Sequence, residues 1–253
     1  MVMAQDSKIE WTDMTWNPAT GCTKISPGCD HCYAERFAER WRGTPGHAYE
    51  QGFDLRLHEA RLRQPLKIKK PSYVFVNSMS DLFHKEIPFA FVDRVFETME
   101  QAHWHVFQVL TKRSSRMLKY INARYSSRKV PRHIWLGVSI EGPQQVSRLA
   151  HIKETNATTR FLSLEPLIAR LPVMDLSGID WVIVGGESGP GARPMEAEWV
   201  RDIRDQCVAN SVHFFFKQWG GIRPKSGGRE LDGREWDEVP FRPPRQLPLV
   251  AAE

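Results

Sequence analysis

Cys22, Cys29 and Cys32 stand in a C-x6-C-x2-C spacing within Gly21–Tyr33, and the chain has only one other cysteine, Cys207. Thiolates suit soft metal centres. Three of them on one loop can hold three irons of a cubane iron–sulfur cluster and leave the fourth iron open to bind and cleave a ligand. Zinc is the competitor, but structural zinc is bound by four ligands. The fourth would have to be His31, His47 or a distant residue, and His31 would be strained sharing a metal with the cysteines on either side of it. Cys207 shares an apolar helical stripe with Trp199, Val200 and Ile203, which is the pattern of a core residue. A cluster with one iron left open explains why there are three cysteines and not four; zinc stays open as the alternative.

Such a loop needs a frame to position it. The 253 residues suffice for one large α/β domain, with 41% hydrophobic and 26% charged residues as in ordinary globular proteins. No apolar run approaches the roughly 20 residues of a membrane helix, so no membrane partner is expected. Met1–Glu10 has no apolar signal core, and the clustered cysteines are no disulfide framework, which places the protein in a reducing cytoplasm. The net charge of +5 is concentrated: residues 112–132 hold Lys112, Arg113, Arg116, Lys119, Arg124, Arg128, Lys129 and Arg132 without an acid, with Tyr120 and Tyr125 among them. Such a block can take phosphates while an aromatic ring stacks on a base, or it can be a solvated helix face.

From residue 73 onward, short apolar runs alternate with helical patterns. The runs are Tyr73–Val76, His105–Leu110, Ile134–Val138, Arg160–Leu164, Trp181–Val184 and Val212–Phe216, with a further strand near Ile9–Trp16. Runs apolar at successive positions predict strands of a parallel sheet covered on both faces. Helical spacing follows Pro88 (Val92, Val95, Phe96, Met99), Ser114, Pro143 and Glu196, whereas Pro166–Asp180 has no helical period. Repeated β-then-α units predict an α/β open or partial barrel of about six or seven parallel strands. Sites in such folds gather where the strands end. Every run here ends in polar residues: Asn77, Ser78, Ser80 and Asp81; Thr111 and Lys112; Ser139 and Glu141; Ser163 and Glu165; Glu187 and Ser188; Lys217 and Gln218. Glu165 and Lys217 directly abut apolar runs, where an unpartnered charge is costly.

The segments Ile9–Thr12, Thr15–Pro18, Gly21-Cys22, Ser26–Cys29 and Cys32–Ala34 resemble the phage-associated three-cysteine family of radical S-adenosylmethionine (SAM) proteins. So do Phe75–Phe83, Gln108–Arg113, Trp135–Ser139, Phe161–Leu167, Trp181–Gly189 and Phe215–Gly220. The likeness runs from about residue 8 to 222 and implies a partial TIM barrel of the radical SAM type, with a [4Fe–4S] cluster and SAM at the strand ends. Its domain would span 1–222, with the cluster loop at 21–33, followed by a C-terminal extension at 223–253. The sequence departs from the usual C-x3-C-x2-C in its longer first gap.

The resemblance implies that Cys22, Cys29 and Cys32 ligate the cluster. It puts Asn77, Ser78 and Ser80 near the SAM amino group, Lys112 and Ser139 near its carboxylate, and Glu141 at the ribose. Glu165, Glu187, Lys217 and Gln218, with Arg193, are left to face substrate. It also implies a reductant such as a flavodoxin or ferredoxin. The expected activity is radical modification, rearrangement or repair of a nucleic-acid base, as in phage DNA hypermodification, with DNA or nucleotide held by segment 112–132. The alternatives are the same chemistry on a peptide or small metabolite, and a zinc-stabilised nucleic-acid-binding protein without catalysis.

Overall fold

The computed structural model describes residues 4–5, 7–223 and 226–241. In chain order the elements are β1 (Ala4–Gln5), β2 (Met14–Trp16), β3 (Ala19–Thr20), α1 (Tyr33–Glu39), β4 (Arg56–Leu57) and β5 (Tyr73–Val76). Then come α2 (Phe89–Gln101), β6 (Val106–Thr111), α3 (Ser114–Arg124), β7 (Ile134–Ser139), α4 (Ser147–Lys153) and β8 (Thr159–Leu164). The last are β9 (Trp181–Gly185), α5 (Ala197–Ala209), β10 (His213–Gln218), β11 (Glu230–Leu231) and β12 (Arg234–Glu235). The main sheet has the order β1-β2-β5-β6-β7-β8-β9-β10, parallel throughout except for β1. Seven parallel strands thus curl into a partial TIM barrel, as the alternating β and α patterns predict.

The strands read as continuous apolar runs because both faces are covered. Leu136, Val138, Leu162, Leu164, Val182, Val184, Phe214 and Phe216 pack outward against the helices. The alternate residues Phe75, Trp135, Phe161, Trp181, Ile183 and Phe215 fill the barrel interior with Trp11. Burying each such side chain stabilises by about 1.5–3 kcal/mol. Gly137 faces the same interior, and a Cβ there would lie 2.4 Å from the Phe161 ring, so the position admits only hydrogen. Higher on these strands the inward residues become small or polar, and the site begins there.

Three features depart from the sequence reading. The first strand is confined to Met14–Trp16. A helix, α1, begins directly after Cys32. The C-terminal segment packs closely against the barrel: Phe215 pairs with Asp237, the Trp181 indole donates to Glu238 O at 2.8 Å, and Phe241 meets the Trp135 ring at 5.3 Å. Residues 224–225 and 242–253 of the expected extension lie outside the described residues. Between β8 and β9 the link buries Leu167, Leu171, Met174, Leu176 and Ile179 without forming a helix, as its lack of period predicts. Among the described residues no helix is long and apolar enough to cross a membrane.

Candidate functional site

The cysteine loop lies over the C-terminal ends of the strands, tied to them from its first residue. Gly21 bridges to Ser80, its amide donating to Met79 O at 2.9 Å while Ser80 Oγ donates to Gly21 O at 2.6 Å. The Asn17 side-chain amide donates to Ser78 Oγ at 3.1 Å, and Tyr33 OH donates to Ser78 O at 2.6 Å. The hydroxyls of Ser78 and Ser80 are therefore engaged with the chain around the loop. Asn77 turns out of β5 at φ 61°, and its buried Nδ2 has no hydrogen-bond partner among the described residues. A buried donor in that state is rare unless a ligand satisfies it.

Three charged clusters then clasp the loop from three strands. At the end of β6, Arg113 donates from Nη1 to Asp81 Oδ2 (3.0 Å) and to Cys22 Sγ (3.4 Å), and from Nη2 to Thr23 O (2.9 Å). Asp81 is itself fixed by Thr111 Oγ1 at 2.7 Å and the Lys112 amide at 3.1 Å. Beyond β7, Glu141 is wholly buried between Lys112 (2.8 Å) and Arg148 (2.9 Å), and it accepts from Ser26 Oγ at 2.9 Å. Burial opposes its charge, but the two cations prevail and hold its pKa below the usual carboxylate value. Gly28 passes so close that a Cβ there would lie 2.3 Å from Glu141 Cγ.

The third clasp follows β9. Glu187 accepts from Arg193 Nη2 at 2.6 Å and from His31 Nδ1 at 2.8 Å, while Arg193 also donates to Pro27 O at 2.8 Å. Burial opposes the Glu187 charge, yet Arg193 and His31 hold its pKa down to about 2. With the folded pKa depressed, this stability is present above the unfolded value of about 4.3 and is lost as pH falls towards about 2. Unfolding of the parent protein and of Glu187→Gln at successive pH values should therefore differ by a constant amount near neutrality. The gap should close below about pH 4, whereas a pH-independent gap would refute the assignment.

Glu165 and Lys217 form a separate pair, Lys217 Nζ donating to Glu165 Oε1 at 2.5 Å. They stand on the inward positions at the ends of β8 and β10. Gln218 donates to Ser188 Oγ at 2.9 Å, and buried Ser139 passes its carbonyl to Arg148 at 2.7 Å. The polar residues expected to meet SAM or substrate therefore lie at strand ends, but they divide into loop-holding and cavity-facing groups. In the sequence reading Arg113 entered only within the basic block and the motif Gln108–Arg113, Ser26 only within the motif Ser26–Cys29, and Arg148 had no role. Asp81 and Arg113 were visible in the strand-end motifs; nothing in the spacing marked Arg148 or Ser26.

Part of the basic segment 112–132 is engaged within the protein. Tyr120 and Tyr125 are buried, their hydroxyls donating to Asp93 at 2.7 Å and Glu100 at 2.6 Å, so neither ring is free to stack on a base. Arg124 and Arg128 are paired with Asp93 and Glu100 on α2. Because α3 runs back from the end of β6 to the start of β7, residues 125–132 lie at the opposite end of the barrel from the site.

The donor set suits an iron–sulfur cluster. All four cysteines are free thiols, and Cys207 is sealed in the core, its thiol pushed up to about 12 by burial, which leaves three sulfurs for ligation. Burial and the nearby Asp81 push Cys22 up to about 11 against the pull of Arg113, and a bound metal displaces such a proton. Among the described residues no three His, Cys, Asp or Glu side chains gather closely enough to share one metal ion. A cubane instead places each cysteine at a separate iron. His31, a candidate fourth zinc ligand, is directed to Glu187 through Nδ1, and His47 stacks on Trp41 with ring centroids 4.1 Å apart.

The family model described as a protein of unknown function, DUF5131, matches residues 6–240. No curated protein sequence matches the chain. Among solved structures, spore photoproduct lyase complexed with dinucleoside spore photoproduct aligns at TM-score 0.50 and 12% identity, over 80% of this chain and 62% of that one. A cysteine-to-serine variant of the same lyase aligns at TM-score 0.50 and 14% identity, over 81% and 64%. The chain thus spans less than two thirds of the length of these lyases, and the likeness is one of fold.

Proposed function

The chain belongs to that family of unknown function, and from this premise we propose that it is a radical SAM enzyme acting on a nucleic-acid base or nucleotide. One observation carries the reading: three free thiols on one loop, pinned by three charged clasps across the mouth of a parallel partial barrel. Cys22, Cys29 and Cys32 would hold the [4Fe–4S] cluster. When bound together, cluster and SAM supply one-electron cleavage of the sulfonium and a 5′-deoxyadenosyl radical.

The residues of this chain have distinct tasks around that chemistry. Asn77 Nδ2, Lys112 and Ser139 are the donors for the amino-acid part of SAM. Glu141, first read as a ribose ligand, instead holds Ser26 and Lys112 in place. Glu187 and Arg193, first read as facing substrate, position Pro27 and His31. Glu165 and Lys217 remain to grip the substrate, one as acceptor and one as donor, with the aromatic layer of Trp135, Phe161 and Trp181 closing the barrel beneath and excluding water. Gln218 orients the adjoining wall through Ser188. The reductant is a low-potential one-electron donor of the flavodoxin or ferredoxin class.

Support for a nucleic-acid substrate comes from the shared fold with a lyase solved with a dinucleoside photoproduct, and from the rim. Exposed Tyr33, Phe37 and Trp41 are spaced four residues apart along α1 and the turn after it, beside Arg36 and exposed Arg40. Arg36 donates to the carbonyls of Ser188 and Pro190. Rings that stack on bases and guanidinium groups that meet phosphate would suit an extruded base.

Oxygen-free reconstitution with iron and sulfide tests the reading. A brown protein absorbing broadly near 400 nm that releases 5′-deoxyadenosine from SAM supports it; a colourless protein with stoichiometric zinc refutes it. Release stimulated by peptides or small metabolites but not by DNA or nucleosides would refute the substrate class. Glu165→Gln and Lys217→Met should each uncouple the enzyme: substrate modification should fall by about 100-fold while SAM cleavage without substrate persists. Equal loss of both would place the pair in SAM binding instead.

A further inference from the structure

Resting on the cluster reading above, we propose that Arg113 is a positioning residue for the cluster: it holds the Cys22 sulfur in place and sets the potential at which the cluster accepts its electron. The guanidinium bridges two parts of the molecule that the sequence separates widely. From the β6 side it is fixed by Asp81 Oδ2 at 3.0 Å, and its own amide donates to Thr111 Oγ1 at 2.9 Å. Towards the loop it reaches Cys22 Sγ at 3.4 Å, Thr23 O at 2.9 Å and Thr23 Oγ1 at 3.1 Å. Thr23 Oγ1 also meets His84 Nε2 at 2.9 Å, so the residue next to Cys22 is held by Arg113 and His84 together. Only 10% of the Arg113 side chain is exposed, against 28% for Arg193 on the other side of the loop.

This geometry has a direct electrostatic consequence. Reduction adds one electron from a low-potential donor to the cluster and breaks no bond, and part of the added charge resides on the ligand sulfurs. A charged N–H aimed at one of those sulfurs stabilises the reduced form and moves the midpoint to a less negative value. Asp81 partly cancels that field but fixes the fork that delivers it. Arg193 contacts the loop only through Pro27 O, Asp30 and the Glu187–His31 group, with no cysteine sulfur among its partners, so it serves as an internal comparison.

The experiment compares the reconstituted parent with Arg113→Gln, Arg113→Lys and Arg193→Gln, reading iron per chain, the EPR-monitored midpoint and the melting temperature without iron. Arg113→Gln should melt lower without iron, because Asp81 loses its cation, but still cooperatively, and should either lose iron or keep it with a more negative midpoint. Arg113→Lys, which keeps the charge but loses the fork, should shift less in the same direction and carries the test if the glutamine variant fails to fold. Arg193→Gln should leave the midpoint of any cluster it holds unmoved. Parent iron content and parent midpoint in the foldable Arg113 variants would overturn the role, as would an equal midpoint shift in Arg193→Gln. A parent protein that takes up no iron would overturn the cluster reading itself.

Discussion

Replacing Cys29 with alanine should abolish both the absorbance near 400 nm and the cleavage of SAM. Cys29 closes the short turn that Ser26 O and the Cys29 amide make at 2.8 Å, and its Sγ lies 3.7 Å from Ser26 Oγ, which Glu141 holds. The thiol is thus carried on a segment fixed from the strand side, and no other cysteine can replace it. Even outer partners of a metal site alter affinity by 10–100-fold, so loss of a ligand should lower cleavage by more than about 100-fold. Cys207→Ala is the control, because Cys207 packs with Val200 and Ile203 under the sheet. It should spare colour and cleavage, at a cost of about 1 kcal/mol, read as a melting temperature lower by about 2–4 °C. Loss of the cluster in Cys207→Ala would show that the ligands are misassigned.

The second large effect concerns stability. Glu141→Ala removes the wholly buried carboxylate that Lys112, Arg148 and Ser26 share. Lys112 and Arg148 then lose the carboxylate they share, Arg148 keeping only the Ser139 carbonyl, and breaking a buried pair in this way costs about 3–5 kcal/mol. For a chain of this size the melting temperature should fall by on the order of 10 °C. Salt should restore little of it, because screening is weak at a buried site. Adding Lys112→Met to Glu141→Gln should recover part of the loss, since that double change leaves one uncompensated cation fewer. A melting temperature within a degree or so of the parent for Glu141→Ala would mean that the clasp bears no load.

The two effects separate chemistry from scaffold. On the proposed reading Cys29 would serve the cluster and contribute little to the fold, whereas Glu141 ties Ser26 to Lys112 and Arg148 and lies against Gly28. A screen that measured activity alone would confuse them. Measuring iron content together with melting temperature distinguishes a missing ligand from a loosened loop.

The thiol loop, a parallel sheet of about six or seven strands and the polar residues at the strand ends are legible in the chain alone. The cause is local: spacing along the chain fixes which thiols share a loop, and strands covered on both faces must be apolar at successive positions. Tertiary structure alone decided which strand-end charges hold the loop and which face the cavity. Glu141 could be read as a ligand group until its contacts with Lys112, Arg148 and Ser26 accounted for it, and Arg193 as facing substrate until its pairing with Glu187 turned it to the loop. Within the basic run 112–132, Tyr120, Tyr125, Arg124 and Arg128 are taken up in the same way by a neighbouring helix. Sequence shows that acids are absent within the run, but Asp93 and Glu100 reach it from the neighbouring helix, so charge balance is set by packing across elements.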